Sequence, residues 1–231
     1  MEPRRLADLG GVQLWLVEDT GTALADAGLQ ELLSDDERKR ASRFKVTSAH
    51  RSFVVSRGSL RRILGGALGC RPDSLRFGEG EHGKPFLTGP HVASGLEFNV
   101  THSGGIFLYA MTKARSVGVD VELKKEGLEV EKMARRYFAP GEARRLCELE
   151  LAEDRLDCFY RCWTRKEAYL KARGTGLTAK LEAFEVTFLP GIPPALVNTE
   201  VAGEDPAAWR VFDVPVPDGY VAALVVRGVG A

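Results

Sequence analysis

Three short stretches of this 231-residue chain recur about 106 residues later, in the same order. Gly11-Val-Gln-Leu14 resembles Gly118-Val-Asp-Val121. Glu37-Arg-Lys-Arg40 resembles Glu142-Ala-Arg-Arg145, and Phe53 and Leu64 match Phe159 and Leu170. A repeat of this length implies one supersecondary unit used twice. The chain is therefore expected to be α+β, built as two similar α+β halves, residues 1–113 and 117–231. In this alignment Gln13 corresponds to Asp120, Trp15 to Glu122 and Arg61 to Glu167. Only the second copy has carboxylates at these places, so one acidic site is expected, not two.

Local patterns fill each half. Val12–Val17 reads as a buried strand, and Leu24–Leu33 has a helical pattern. Ser34-Asp-Asp-Glu37 is a capping box, so a helix carrying Arg38, Lys39, Arg40 and Arg43 should open there. Thr47 is expected to cap a longer helix to about Leu68, with Phe53, Leu60 and Leu64 inward. Leu75–Leu87 reads as a hairpin around a Gly-rich turn. Strands over Leu96–Val100 and Ile106–Thr112 flank the polar turn Thr101–Gly105. The second half opens on the strand Val117–Leu123. Helices follow over Glu129–Phe138, Pro140–Leu149 and Glu153–Arg173, the last ended by Gly174 and Gly176. Strands over Leu181–Leu189, Leu196–Val201, Trp209–Val214 and Tyr220–Arg227 complete it.

Thirty-two basic and 32 acidic residues leave no net charge, which argues against a nonspecific nucleic-acid binder. No stretch approaches the ~20 apolar residues that span a membrane. Cys70, Cys147, Cys158 and Cys162 lack metal-ligand spacing and read as reduced thiols of a cytoplasmic protein.

Asp120 and Glu122 are two apart on a strand, so both point to one face while Val119 and Val121 point to the other. Paired carboxylates repel and lose hydration unless something positive sits between them. That can be a Lys or Arg, or a hard cation such as Mg²⁺ held by carboxylates and substrate phosphates. Glu167 supplies a third carboxylate, Lys171 lies four residues on along the same helix face, and Lys166 stands beside them. Arg40, Arg51 and Lys84 come from separate elements, and each alone reads as a surface charge. His102 sits between Thr101 and Ser103, whose hydroxyls, with the glycine amides, could cradle an anion. Walker-type loops, dinucleotide fingerprints, G-x-S-x-G elbows and H-E-x-x-H pairs are all missing from the sequence.

Gly118-Val-Asp-Val-Glu122, followed some forty residues later by Trp163–Leu177 (WTRKEAYLKARGTGL), resembles the 4′-phosphopantetheinyl transferases, and the larger, surfactin-synthetase-type subgroup best. Arg40–Arg51, His82-Gly-Lys-Pro-Phe86 and Phe98–Ser103 extend the likeness, which covers about Ser34–Leu177. The resemblance implies a pseudo-twofold pair of halves with the active site between them, and a monomer. It implies that Asp120, Glu122 and Glu167 bind Mg²⁺ with the coenzyme A diphosphate, and that Lys171 lies near the phosphates. His102 and Thr101 would contact the 3′-phosphate; Lys84, Arg40 and Arg51 would belong to the nucleotide surface. Thr101 replaces the usual serine, and Glu37 stands where a phosphate-binding lysine is often found, a contact Arg38 could supply. The implied reaction moves the 4′-phosphopantetheine arm to a serine of an apo acyl- or peptidyl-carrier protein, releasing 3′,5′-ADP. Lys166 and Lys171 would meet the developing negative charge, and Glu167 or a metal-bound water would take the serine proton. The carrier would dock on the basic helix Glu129–Phe138, through Lys132, Arg135 and Arg136 beside Met133, Tyr137 and Phe138. Two other readings use the same residues: a Mg²⁺-dependent phosphohydrolase, and a non-catalytic coenzyme A- or carrier-binding module. Retention of all three carboxylates argues against the non-catalytic module, and a hydrolase would be marked by phosphate release without a protein acceptor; the transferase ranks above both.

Overall fold

The computed structural model describes residues 2–21, 23–81, 83–174 and 180–228. Gly176 and Leu177, the end of the second motif, and His82 lie outside the described residues. The chain opens on β1 (Arg4–Arg5) and β2 (Gln13–Glu18), then α1 (Ala23–Gln30), α2 (Asp35–Ala41) and α3 (Thr47–Leu68). A hairpin, β3 (Arg76–Glu79) and β4 (Pro85–Thr88), leads to β5 (Leu96–Ser103) and β6 (Ile106–Lys113). The second run is β7 (Val117–Leu123), α4 (Val130–Tyr137), α5 (Pro140–Cys147) and α6 (Ala152–Arg173). It continues with the pair β8 (Phe184–Val186) and β9 (Leu196–Thr199), then β10 (Trp209–Asp213) and β11 (Tyr220–Arg227).

One topology occurs twice: a strand, three helices, a two-stranded hairpin, two strands. The sheet orders are β1-β2-β6-β5 and β10-β11-β7, antiparallel throughout. In each run the first strand pairs with the last, and the last with the one before it. The fold is mixed α+β. The sheets meet through an apolar layer: Val12, Leu14 and Leu16 of one run and Val117, Val119 and Val121 of the other share a core with Leu108 and Leu224. Each outer face is covered by its own helices, α1 and α3 over Phe107 and Tyr109, and α5 and α6 over Val211 and Val225.

The long helices α3 and α6 both end on left-handed glycines, Gly69 and Gly174, which spare the backbone a Cβ clash at positive φ. Each is tied down the same way. Arg61 of α3 donates to Glu37 (2.6 Å) and to the carbonyls of Pro72 and Leu75. Lys166 of α6 pairs with Glu142 (2.6 Å) and donates to the carbonyls of Leu181 and Phe184. Glu37 and Glu142 also accept an N–H at the start of their own helices, from Ser34 and Ala139. This equivalence corrects the sequence alignment: Arg61 corresponds to Lys166, not to Glu167.

Other expectations shift locally. Thr47 is the first helical residue of α3, whose N-cap Val46 offers no side-chain acceptor. The strand expected over Leu181–Leu189 is confined to β8, because its first residues form a 3-10 turn, Leu181–Ala183, whose Leu181 carbonyl accepts from Lys166. The polar stretch Thr101–Ser103 belongs to β5, and the turn shrinks to Gly104-Gly105, both at positive φ. Ser103 pairs directly with Ile106 across a two-residue hairpin, which two glycines permit.

Candidate active site

β5 and β7 lie side by side and run in the same direction, yet belong to separate sheets. Side chains of β5 bridge them. Asn99 Oδ1 accepts from Val119 N (2.9 Å), Thr101 Oγ1 donates to Asp120 Oδ1 (3.1 Å), and Ser103 Oγ accepts from Leu123 N (3.1 Å). Helix α6 lies across β7 at very close range. A Cβ added to Gly118 would stand 2.1 Å from Ala168 O and 2.3 Å from Ala172 N. That approach brings Glu167 and Lys171, each one residue before those alanines, up to the strand face carrying Asp120 and Glu122.

Asp120 is 3% exposed. Its Oδ1 accepts from Lys171 Nζ (2.6 Å) as well as Thr101, while Oδ2 is buried with no partner among the described residues. Glu122 is half-buried, and its Oε2 accepts from Ser103 Oγ (3.0 Å). Glu167 is half-buried with no hydrogen-bond or ion-pair partner among the described residues. All three carboxyls are pushed above the usual range. Burial is the main cause for each; Asp120's charge adds to it at Glu122 and Glu167, and Lys171 opposes it. An open recess of about 470 Å³ beside Glu167 is walled by Tyr137, Trp163, Arg136 and Leu181. A larger one, about 1050 Å³, opens on the flank of α4 among Lys124, Glu129, Lys132 and Arg135, away from the carboxylates.

The basic residues divide. Lys171 stands in the cluster, with its ammonium also 3.0 Å from Thr101 Oγ1. His102 is exposed, its ring stacked on Phe107 (5.1 Å) and its pKa lowered by burial of part of the ring and by Lys171. Thr101 and His102 alternate along β5, so the threonine turns to Asp120 and not, as expected, to the side of His102. Lys166 is wholly buried on Glu142 and cannot reach a ligand, which overturns its phosphate-binding role. Lys84 donates to the carbonyls of Val117 (2.9 Å) and Lys171 (2.9 Å), tying β7 to the end of α6. Arg40 pairs with Glu79 and covers the Phe53 ring, and Arg51 grips Asp19 through two nitrogens. These three stand apart from the carboxylates. On α4, Lys132, Arg135 and Arg136 are exposed, but Phe138 is core, 3% exposed, and is no part of a docking surface.

Residues 116–225 match the 4′-phosphopantetheinyl transferase superfamily, and residues 26–114 match the 4′-phosphopantetheinyl transferase N-terminal family. The 4′-phosphopantetheinyl transferase HetI of a Nostoc species is 38% identical over 221 residues, 95% of this chain and 89% of that protein. The chain belongs to the 4′-phosphopantetheinyl transferase superfamily. A 4′-phosphopantetheinyl transferase of Bacillus subtilis is 30% identical over 183 residues, 78% of this chain and 77% of its own. The B. subtilis 4′-phosphopantetheinyl transferase Sfp is 29% identical over 156 residues, 67% of this chain and 66% of that one. The carboxylate cluster lies within the stretch that matches the superfamily, residues 116–225.

Among the described residues of the transferase, no three His, Cys, Asp or Glu side chains are close enough to hold a metal ion by themselves. The cluster nevertheless suits a hard cation whose remaining ligands are water and phosphate. The unpartnered, buried Asp120 Oδ2 is a ready acceptor, and three crowded carboxyls with raised pKa values need positive charge. Sequence reasoning named Ser103 only as part of an anion cradle and missed its bond to Glu122, and it missed the bridging role of Asn99 altogether. Their signal was the alternation Asn99, Thr101, Ser103, hidden once Thr101 onward was read as a turn.

Proposed function

We propose that the transferase moves the 4′-phosphopantetheine arm of coenzyme A onto a serine of an apo acyl- or peptidyl-carrier protein, with Mg²⁺, releasing 3′,5′-ADP. The observation that carries this is the convergence of Asp120, Glu122 and Glu167 on one face, around an unpartnered Asp120 oxygen. In this reading the three carboxylates hold Mg²⁺, which when bound neutralises the diphosphate and stabilises the leaving phosphate. Lys171 is a second positive charge beside Asp120, placed where negative charge develops at the diphosphate. Glu167, with a raised pKa and no protein partner among the described residues, takes the proton of the carrier serine. His102, and beyond it Arg40, Arg51 and the neighbourhood of Lys84, form the nucleotide side, a role carried from the family resemblance. Lys132, Arg135 and Arg136 of α4 meet an acidic carrier helix.

We further read the chain as the large, single-chain subgroup. Its halves 1–113 and 117–231 place the site at their own seam, so that a monomer suffices and cytoplasmic carriers are within reach. No described helix is long and apolar enough to cross a membrane. The test uses coenzyme A, Mg²⁺ and a panel of apo-carrier domains, with intact mass as readout. Asp120→Ala and Glu167→Gln are each expected to abolish arm transfer while thermal unfolding stays cooperative. Near-normal turnover in either would count against these roles. Phosphate release without any acceptor would favour a hydrolase.

A further inference from the structure

The edge of β7 that faces β5 carries the N–H groups of Val119, Val121 and Leu123. Buried N–H groups need acceptors, and no ladder to β5 provides them. Val119 is served by Asn99 Oδ1 (2.9 Å) and Leu123 by Ser103 Oγ (3.1 Å). Ser103 does a second job as well. Its oxygen is fixed by the Leu123 N–H, and its single proton goes to Glu122 Oε2 (3.0 Å). Glu122 has no other side-chain hydrogen bond among the described residues, so this one fixes where its carboxylate points. An edge cap needs only an acceptor; the donated proton is what aims the carboxylate.

We propose that Ser103 is a positioning residue of this transferase. Held by the β7 backbone, it aims Glu122 so that this carboxylate and Asp120 present their free oxygens to one cation. The proposal rests on the metal reading given above. It does not require Ser103 to touch coenzyme A, the carrier or the ion.

The test is a Mn²⁺ titration of the full-length protein by electron paramagnetic resonance, with and without coenzyme A, beside transfer rates measured against Mg²⁺ concentration. Ser103→Ala is expected to weaken Mn²⁺ about 10-fold and to raise the Mg²⁺ needed for half-maximal rate by a similar factor. Ser103→Thr, which keeps the hydroxyl, is expected to restore most of both. Ser103→Cys keeps the volume but donates weakly, and gives the same answer should the alanine variant not fold. Unchanged Mn²⁺ affinity in Ser103→Ala, beside a wild type that binds and needs the ion, overturns the proposal. So does a loss of thermal stability and coenzyme A affinity with Mn²⁺ binding intact, since Ser103 is then only an edge strut. A wild type that neither binds Mn²⁺ nor responds to chelator overturns the metal reading itself, and the proposal with it.

Discussion

Lys166 and Glu167 are neighbours in sequence and do opposite work. The lysine is sealed in the core on Glu142, with two carbonyls completing its donors. Removing one partner of such a pair leaves an uncompensated buried charge, so Lys166→Ala is expected to cost about 3–5 kcal/mol in urea unfolding. A stable variant that has lost transfer would return Lys166 to a ligand-binding role. The sequence held the clue. Phe159, Trp163, Lys166 and Leu170 fall on one helical stripe, so Lys166 occupies an apolar position. Charge alone had placed it with the phosphates. Glu167, one residue on, borders an open recess instead of the core, and as a base it must be ionised. Its pKa is raised by burial and by Asp120 in the metal-free site, and a bound cation opposes that rise, so the acid limb of the transfer rate should move to lower pH as Mg²⁺ increases. A pH–rate profile taken at several Mg²⁺ concentrations checks this, and an acid limb that stays in place would contradict it. The same shifts have a stability sign. Carboxyls raised in the folded state keep their protons longer than in the unfolded chain. The metal-free protein should therefore lose stability as pH rises from the unfolded value through the raised one.

At the scale of elements, the site depends on how α6 lies on β7. Gly118 permits it: any Cβ there would collide with the backbone of Ala168 and Ala172. Gly118→Ala is expected to destabilise by at least about 3 kcal/mol. It should also depress transfer at temperatures where the variant remains folded, because Glu167 and Lys171 ride on the displaced helix. Wild-type stability in thermal unfolding would contradict this packing account. Several elements were legible because their signals are local. The Ser34–Glu37 capping box, Pro140 at a helix start and Gly174 at a helix end each act within one turn of backbone. β5 was cut short because its last residues are polar. Thr101 and Ser103 bond to the neighbouring strand instead of to water, a fact settled by tertiary contact.

For the whole molecule, the decisive feature is the apolar layer between the sheets. Val12, Leu14, Leu16, Leu108 and Ala110 cover Val117, Val119, Val121 and Leu224, so each half supplies the other's missing face. Residues 117–231 expressed alone are expected to lack cooperative unfolding and to aggregate, since that face is too apolar to stand in water. A sharp thermal transition and dispersed amide spectrum for the isolated half would contradict this. The recurrence of the topology was readable from the sequence at low resolution, but its register was not. The ties that define it, Glu37 with Arg61 and Glu142 with Lys166, use different basic residues in the two runs. Function turns on where a divalent ion sits when the diphosphate of coenzyme A is present. Crystals grown with coenzyme A and Mn²⁺, and an anomalous difference map at the manganese edge, test it most directly. The predicted result is one peak bounded by Asp120, Glu122 and Glu167 on the α6 side of β7, touching the diphosphate. A peak held by other residues, or a diphosphate bound away from these carboxylates, would contradict it.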